Sequence, residues 1–269
     1  MNTQPYRWIL RRVCPPLTSS SQAQKTGHLP SVRSWLLSAL AWPADTPVLL
    51  EGDPVRDESV GGWLDDLASA SFPPGAGAAA AMNIAVGAAL ISMVCNHSLG
   101  HPKCAAHTTG LTAARETAEN LRSTALGLAA DDAVAFSAVL DAHRLPRATD
   151  TDTRARATAV QEALTAATEV PLRMARTAAE VVRLARRLIA VAKADMVPDL
   201  AVAASSARAA LDTAAVIAEA NLSVIADTEH RSAARLQLVH SLGAVTESEA
   251  ITAEIRARYT RREPPVTPV

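Results

Sequence analysis

Aromatic residues are nearly missing from this chain: Phe, Tyr and Trp together make 3% of its 269 residues. Strands are built from aromatic and β-branched side chains, so this scarcity excludes a sandwich or a barrel. Cysteine is almost as rare. Three scattered cysteines cannot staple a disulfide scaffold, and the expected setting is a reducing cytoplasm. Charge of either sign shows no excess: 26 Lys and Arg stand against 27 Asp and Glu, a net charge of −1. A generic nucleic-acid binder carries a basic surplus, so that class is excluded as well. What the chain does have is alanine, 57 residues of it. Alanine is the best helix former, and the chain reads as an all-α, multi-helix bundle of ample length for a buried core.

Acidic residues are absent from positions 1–40, which carry Arg7, Arg11, Arg12, Lys25 and Arg33. No apolar core of signal-peptide length follows the early arginines. Residues 1–57 read as a basic N-terminal extension, either an arm for a partner or a segment without fixed structure. Ser34 to Trp42 could form one extra helix within it. Residues 58–262 read as one helical domain. Ser59 is placed to cap a helix whose apolar stripe is Trp63, Leu64, Leu67 and Ala68. Phe72-Pro73-Pro74-Gly75 ends it. A second helix runs from Gly77 to His97 with Gly100 as its terminating glycine. Thr108 to Leu128 forms the next, and Asp131-Asp132 opens a short one to His143. A long helical stretch from Arg154 to Lys193 contains Pro171, which should kink or break it. Two more helices run from Asp199 to Asp227 and from Glu229 to Arg258. The proline-rich tail from Glu263 to Val269 should fray.

The 21 residues from Gly75 to Cys95 carry no charge. That length suffices to span a membrane. The run is made of Ala and Gly, however, with no Trp/Tyr belt and no one-sided Lys/Arg cluster at its ends. Small residues permit close approach, so the expectation is a helix buried within protein, with a subunit interface as one thing that could bury it. No membrane partner is expected.

Several residues could carry chemistry. Asp132 heads an apolar face shared with Phe136, Val139, Leu140 and His143 at 100° per residue. It is either a helix N-cap or a partly desolvated acid suited to proton transfer. Pro73-Pro74-Gly75-Ala76-Gly77 is either a tight turn or a cradle of backbone N–H groups at a helix start. It lacks the Lys-Ser/Thr pair of a nucleotide loop. Cys95, His97, His101, Cys104 and His107 have neither a CxxC pair nor an HExxH motif, so no metal site is expected. Asp199 and Asn221 share a helix face but stand about 33 Å apart along it, too far for one site on a straight helix.

Taken in order, these segments resemble the cyclodeaminase/cyclohydrolase family. The resemblance starts at Trp63-Leu64-Asp65-Asp66-Leu67-Ala68-Ser69 and continues through Pro74-Gly75-Ala76-Gly77-Ala78 and Gly87 to Val94. Asp132-Ala133-Val134-Ala135-Phe136 is similar to the family's D-A-x-A-F, and Arg144-Leu145-Pro146-Arg147 to its R-L-P-K. Gln161-Glu162-Ala163-Leu164, Val170-Pro171-Leu172, Asp199, Asn221 and Asp227 follow. The likeness covers about residues 60–230 and rests on the ordered set, not on any one motif.

The resemblance implies an all-helical homodimer acting on one-carbon adducts of tetrahydrofolate, with no resident cofactor. The implied reaction is hydrolysis of a methenyl bridge or ring closure of a formimino group with loss of ammonia. It implies a functional carboxylate at Asp132 and substrate-binding positions at Pro74, Gly75, Gly77, Asp199 and Asn221. Lys103, Arg144 and Arg147 are candidate partners for an anionic folate tail. The chain also departs from the pattern. Ala76 and Ala78 replace a glycine and a serine, Ala192-Lys193 replaces Gly-Asn, Pro198 replaces a serine, and Ile217 replaces the first asparagine of N-x-x-x-N. An added methyl at Ala76 would be harmful if that position needed a positive φ. The alternative reading is therefore a helical dimer that has kept the fold and lost the chemistry, serving as a binding or accessory protein.

Overall fold

The computed structural model describes residues 59–70 and 73–260 of the chain. The basic extension and the tail from Glu263 lie outside the described residues. The described residues form six α-helices: α1 Val60–Ala68, α2 Ala76–Ser98, α3 Thr108–Arg144, α4 Asp150–Leu188, α5 Val197–Leu222 and α6 Thr228–Thr260. Short 3-10 turns at Pro102–His107 and Ala194–Met196 precede α3 and α5. The four helices α2 to α5 pack as a ring, and α6 lies across α4 and α5. The all-α bundle expected from composition is what the chain adopts.

Local chemistry explains most of the boundaries. Ser59 Oγ accepts from Gly62 N–H at 3.1 Å and caps α1. That helix stops at Ala68, before the prolines, with Ser69 as its C-cap. Its buried side is Trp63 alone, with Leu67 half-buried, while Leu64 is 51% exposed; the wider stripe read from sequence is not all inward. Gly100, at φ 80°, ends α2 as expected.

Three boundaries differ from the sequence reading. Asp131 and Asp132 do not open a helix, because α3 runs unbroken through them. The N-cap role for Asp132 is thereby excluded. Residues 149–152, read as loop, hold a capping box: Thr149 Oγ1 accepts from Asp152 N–H, and Asp152 Oδ2 accepts from Thr149 N–H. This pair starts α4 four residues early. Pro171 does not break α4; it is buried in the interior of a 39-residue helix, where it costs one hydrogen bond.

Small side chains on α2 let its neighbours approach closely. Gly77, Ala78, Ala80, Ala81, Ala85, Gly87 and Ala88 are all buried. At Gly87 a Cβ would lie 2.9 Å from the Ala203 carbonyl oxygen on α5 and 3.1 Å from Val181 on α4. The α5 backbone is therefore in contact with α2 itself. One face of α2 is not covered by the described residues: Met82, Asn83, Ala89, Leu90 and Met93 are half-buried and Val86 is exposed. By length and composition alone, α2, the joined stretch Pro102–Arg144 and the stretch Ala194–Leu222 could each cross a membrane. In the bundle the apolar window of α2 is 61% buried against protein.

Replacing Gly87 by valine should force α2 and α5 apart. The expected loss is about 1–3 kcal/mol of stability, the usual cost of overpacking, read as a lower denaturation midpoint. An unchanged midpoint would show that the two backbones are not in close contact.

Candidate active site

Asp132 stands 24 residues into α3, about 36 Å from the first turn, and its neighbour Asp131 has a different task. Asp131 Oδ2 accepts from Arg173 Nη1 at 2.6 Å and ties α3 to α4 at the surface. One residue on, and so rotated by about 100°, Asp132 lies over the backbone of α2. A Cβ at Gly77 would fall 2.2 Å from Asp132 Cγ and Oδ1 and 2.4 Å from Oδ2. The carboxyl group occupies the volume that any larger residue at position 77 would take.

The start of α2 adds unsatisfied donors. Gly75 is the N-cap and offers no side-chain bond. The intrahelical ladder begins at Ala79 N–H, which bonds Gly75 O. The N–H groups of Ala76, Gly77 and Ala78 are left free of it, and they form the partly positive end of the helix. Ala76 is the first helical residue and is exposed. Its methyl is tolerated because the position needs no left-handed backbone.

The Asp132 carboxyl has no compensating partner among the described residues. Burial pushes it up to about 6, since removal from water penalises the charged form. The acid therefore changes protonation close to neutral pH, as proton-transfer groups do.

Axial register decides which other candidates can join it. Lys193 N–H donates to Ser98 Oγ at 2.9 Å, and Gly87 meets Ala203. Thus α5 runs antiparallel to α2, and position 213 stands near the level of Gly77. Asn221 lies eight residues past that level, about 12 Å along the axis. Asp199 lies 14 residues the other way, about 21 Å off. The structure brings Asn221 to the Asp132 end of the bundle and leaves Asp199 at the other end. At the Asp132 end, α2 begins at Ala76 whereas α3 and α5 run on to Arg144 and Leu222. Axial register puts Asp132 and Phe136 on α3 and Ile217 and Asn221 on α5 level with or beyond the first turn of α2, at the end of the bundle here called the recess. Pro74 and Gly75 are half-buried at its rim. The side-chain amide of Asn221 has no partner among the described residues.

The three candidate cations are not brought together in one chain. Lys103 precedes α3, while Arg144 ends it, about 55 Å away along the helix. Arg144 is paired with Asp141 at 3.1 Å, and Arg147 is exposed in the turn after it. One folate tail cannot meet all three within a single chain. The departures Ala192, Lys193 and Pro198 also lie at the far end, where Lys193 pairs with Asp195 at 2.9 Å. The Cys/His run is dispersed: Cys95 and Cys104 are buried, His97 and His107 exposed. Among the described residues no three His, Cys, Asp or Glu gather as metal ligands. Sequence reasoning missed an open cavity of about 650 Å³ lined by Asn96, Arg115, Glu116, Glu119 and Asn120. Asn96 comes from α2 and the other four from α3, and no local motif joins them. The cavity lies 19 residues along α2 from Gly77, about 29 Å away, so it is separate from Asp132.

The sequence pattern of the formiminotransferase-cyclodeaminase family matches residues 59–239. The chain belongs to that family. A methenyltetrahydrofolate cyclohydrolase of Methylorubrum extorquens is 39% identical over 199 residues, covering 74% of this chain and 94% of that protein. The formimidoyltransferase-cyclodeaminase of Mus musculus is 29% identical over 208 residues, and the matched part is 38% of its length. The crystal structure of a formiminotetrahydrofolate cyclodeaminase from Thermotoga maritima superposes with a TM-score of 0.69 at 21% identity, covering 77% of this chain and 99% of that one. This last likeness shows the fold.

The buried acid has a measurable signature in stability. Its folded pKa, about 6, is raised from 3.8, so the folded state holds the proton more tightly than the unfolded chain. Stability must fall as pH rises between those values and stay reduced above them. Asp132→Asn removes the charge and keeps the shape. The variant should be more stable than wild type at pH 8, by on the order of 2 kcal/mol, and the gain should vanish towards pH 4. Equal midpoints at pH 8 would mean that the carboxylate is well solvated.

Proposed function

We propose that this protein hydrolyses the methenyl bridge of methenyltetrahydrofolate, with Asp132 as the general base. The observation that carries the reading is the lone carboxyl over Gly77, buried enough to titrate near 6 and set beside free N–H groups. The methenyl carbon is an amidinium-like cation. A carboxylate beside it stabilises the positive charge and can take a proton from an attacking water. The C–O bond forms as Asp132 accepts the proton. One C–N bond of the tetrahedral adduct then breaks: the departing nitrogen takes the proton held by Asp132, and the adduct hydroxyl releases its proton to solvent as the formyl C=O forms on the other nitrogen. The N–H groups of Ala76, Gly77 and Ala78 are placed to bind an electron-rich edge of the substrate. Asn221 supplies an amide from the opposite wall of the recess.

Two points favour hydrolysis over cyclisation of a formimino group. Above pH 7 a group with pKa near 6 is mostly ionised, which suits a base; helping ammonia leave requires the protonated acid. The cyclohydrolase of Methylorubrum extorquens also shares 39% identity over 94% of its length, against 21% for the cyclodeaminase of Thermotoga maritima over 99% of its length. The competing reading, a fold kept without its chemistry, draws on Ala78 and Ile217, where the family pattern has polar residues near the recess.

The deciding experiment follows the near-ultraviolet band of methenyltetrahydrofolate with and without protein. Wild type should speed its loss, with kcat/KM rising as pH increases through about 6. Asp132→Asn should lower kcat by about 10²-fold or more while folding normally. Gly77→Ala should also lose activity, because the new methyl displaces the carboxyl group. A wild type that leaves the band unchanged would favour the fold-without-chemistry reading, and near-normal turnover by Asp132→Asn would remove the carboxylate from the mechanism.

The protein is further proposed to act as a homodimer in a reducing, cytoplasmic setting. Support for the dimer comes from the face of α2 that the described residues leave uncovered, with Met82, Val86, Leu90 and Met93, and from Val202 and Val216, exposed by 52% and 68% on adjacent α5. Light scattering should give twice the chain mass, and Val86→Arg should give the single mass. A monodisperse wild-type monomer would overturn this.

A further inference from the structure

Gln161 makes a contact that neither the proposed chemistry nor helix packing requires. Its side chain leaves α4 and grips the turn between α5 and α6 from both sides. Gln161 Nε2 donates to Val224 O at 3.1 Å. Ala226 N–H donates to Gln161 Oε1 at 2.7 Å. A carboxamide has one donor end and one acceptor end, and both are engaged here by backbone. No other uncharged side chain of this length could reproduce the pair.

The turn it holds is the end of the helix that carries Asn221. The last turn of α5 has no terminating glycine. Its final carbonyls are closed instead by Ser223 N–H, bonded to Glu219 O at 3.0 Å, and by Val224 N–H, bonded to Asn221 O at 3.2 Å. Gln161 therefore grips the same residue, Val224, whose N–H closes on the Asn221 carbonyl. On the far side the turn is fixed by Arg231, whose Nη1 donates to Ile225 O at 3.1 Å. Asp227 Oδ1, accepting from Glu229 and His230 N–H, starts α6. Of these ties, the one from Gln161 runs from the body of the ring to the end of α5. Burial of Leu222 and Ile225 anchors the turn to the core, and the Gln161 pair adds the directional tie that fixes its backbone against the fraying usual at helix ends.

We propose that Gln161 is a positioning residue for the folate reaction, holding the last turn of α5 so that the unpartnered Asn221 amide faces substrate in the recess below α2. This rests on the reading of the recess as the folate site. Gln161 touches no substrate in this scheme and acts through Asn221. Loss of the tie should weaken substrate binding more than chemistry, because Asp132 sits on α3, which neither hydrogen bond of Gln161 reaches.

The test compares wild type, Gln161→Met, Asn221→Ala and the double variant, with methenyltetrahydrofolate as substrate. Gln161→Met keeps the length and packing of the side chain and removes both hydrogen bonds. The expected result is a KM raised roughly tenfold with kcat within about twofold, as for loss of uniform substrate binding. In the Asn221→Ala background the same change should have no further effect on KM, because the two residues act as one unit. A general structural role would lower the melting midpoint but leave KM alone, or would raise KM by the same factor in both backgrounds; either result overturns the proposal. Hydrogen exchange separates this from failure of the folate reading. If wild type shows no turnover, the folate reading fails on its own. The positioning claim then stands or falls on whether Gln161→Met speeds exchange at residues 219–227 while α2 and α3 stay protected. Unchanged exchange at 219–227 would overturn it.

Discussion

Close approach of other backbones to α2 is the constraint on which the rest of the structure depends. Helix axes usually lie 8–10 Å apart, a spacing set by the side chains between them. Here those side chains are methyl groups and hydrogens: Ala80, Ala81 and Ala88 are fully buried, and Gly87 admits the Ala203 carbonyl directly. Each alanine buries little apolar area, so the fold needs many of them on long helices. The abundance of alanine and the scarcity of aromatics are two sides of this packing solution. The same constraint builds the site. Only where α3 lies this close can a residue as short as aspartate place its carboxyl on the Cα of Gly77.

That carboxyl is a liability to the folded state. A charged group moved out of water without a partner costs stability, and the chain relieves part of the cost by raising the pKa of Asp132. Asp131, next to it, shows the cheaper arrangement, an ion pair with Arg173 at the surface. Two adjacent aspartates thus have opposite fates because helical geometry turns one outward and the other inward. A group that destabilises the fold and titrates near neutral pH is better explained by chemistry than by architecture, and that argument is independent of family resemblance.

The architecture was legible in the sequence because alanine content and 3.6-residue periodicity are strong signals. So were the Ser59 cap, the Gly100 stop and the Asp132 stripe. The short helix expected at Asp131 was not there, and the reason is physical. Asp is a preferred cap, but in a helix interior it costs well under 1 kcal/mol. Gly127 lies within the stretch but no proline does, and the apolar pattern runs on from Leu121, Ala125 and Leu128 to Ala133 and Val139. Burial of that face holds α3 together through the two aspartates. Proline 171 was over-read in the same way: packing of α4 against α3, α5 and α6 outweighs one missing hydrogen bond. The grip of Gln161 on residues 224 and 226 was invisible in principle, since nothing local in sequence joins positions more than sixty apart.

The unbroken length of α3 carries the last step. Because it spans about 55 Å, the polar positions of the chain divide between two ends that share no side chain. Asp132, Ile217 and Asn221 belong to one end; Lys103, Lys193 and Asp199 belong to the other. Substitutions at Ala192, Lys193 and Pro198 therefore leave the surroundings of Asp132 in the same chain untouched. Of the polar positions that this chain has lost on its helices, Ile217 stands on the recess, one helical turn from Asn221. A change in substrate handling at Asp132 within one chain is consequently to be sought at Ile217 and at the Ala76–Ala78 helix start, not across the whole set of departures. Isoleucine at 217 offers neither the donor nor the acceptor of an asparagine at that wall, while Asp132, its glycine seat and the helix N–H groups of α2 are all present, so the proposed chemistry and the altered position stand on different helices.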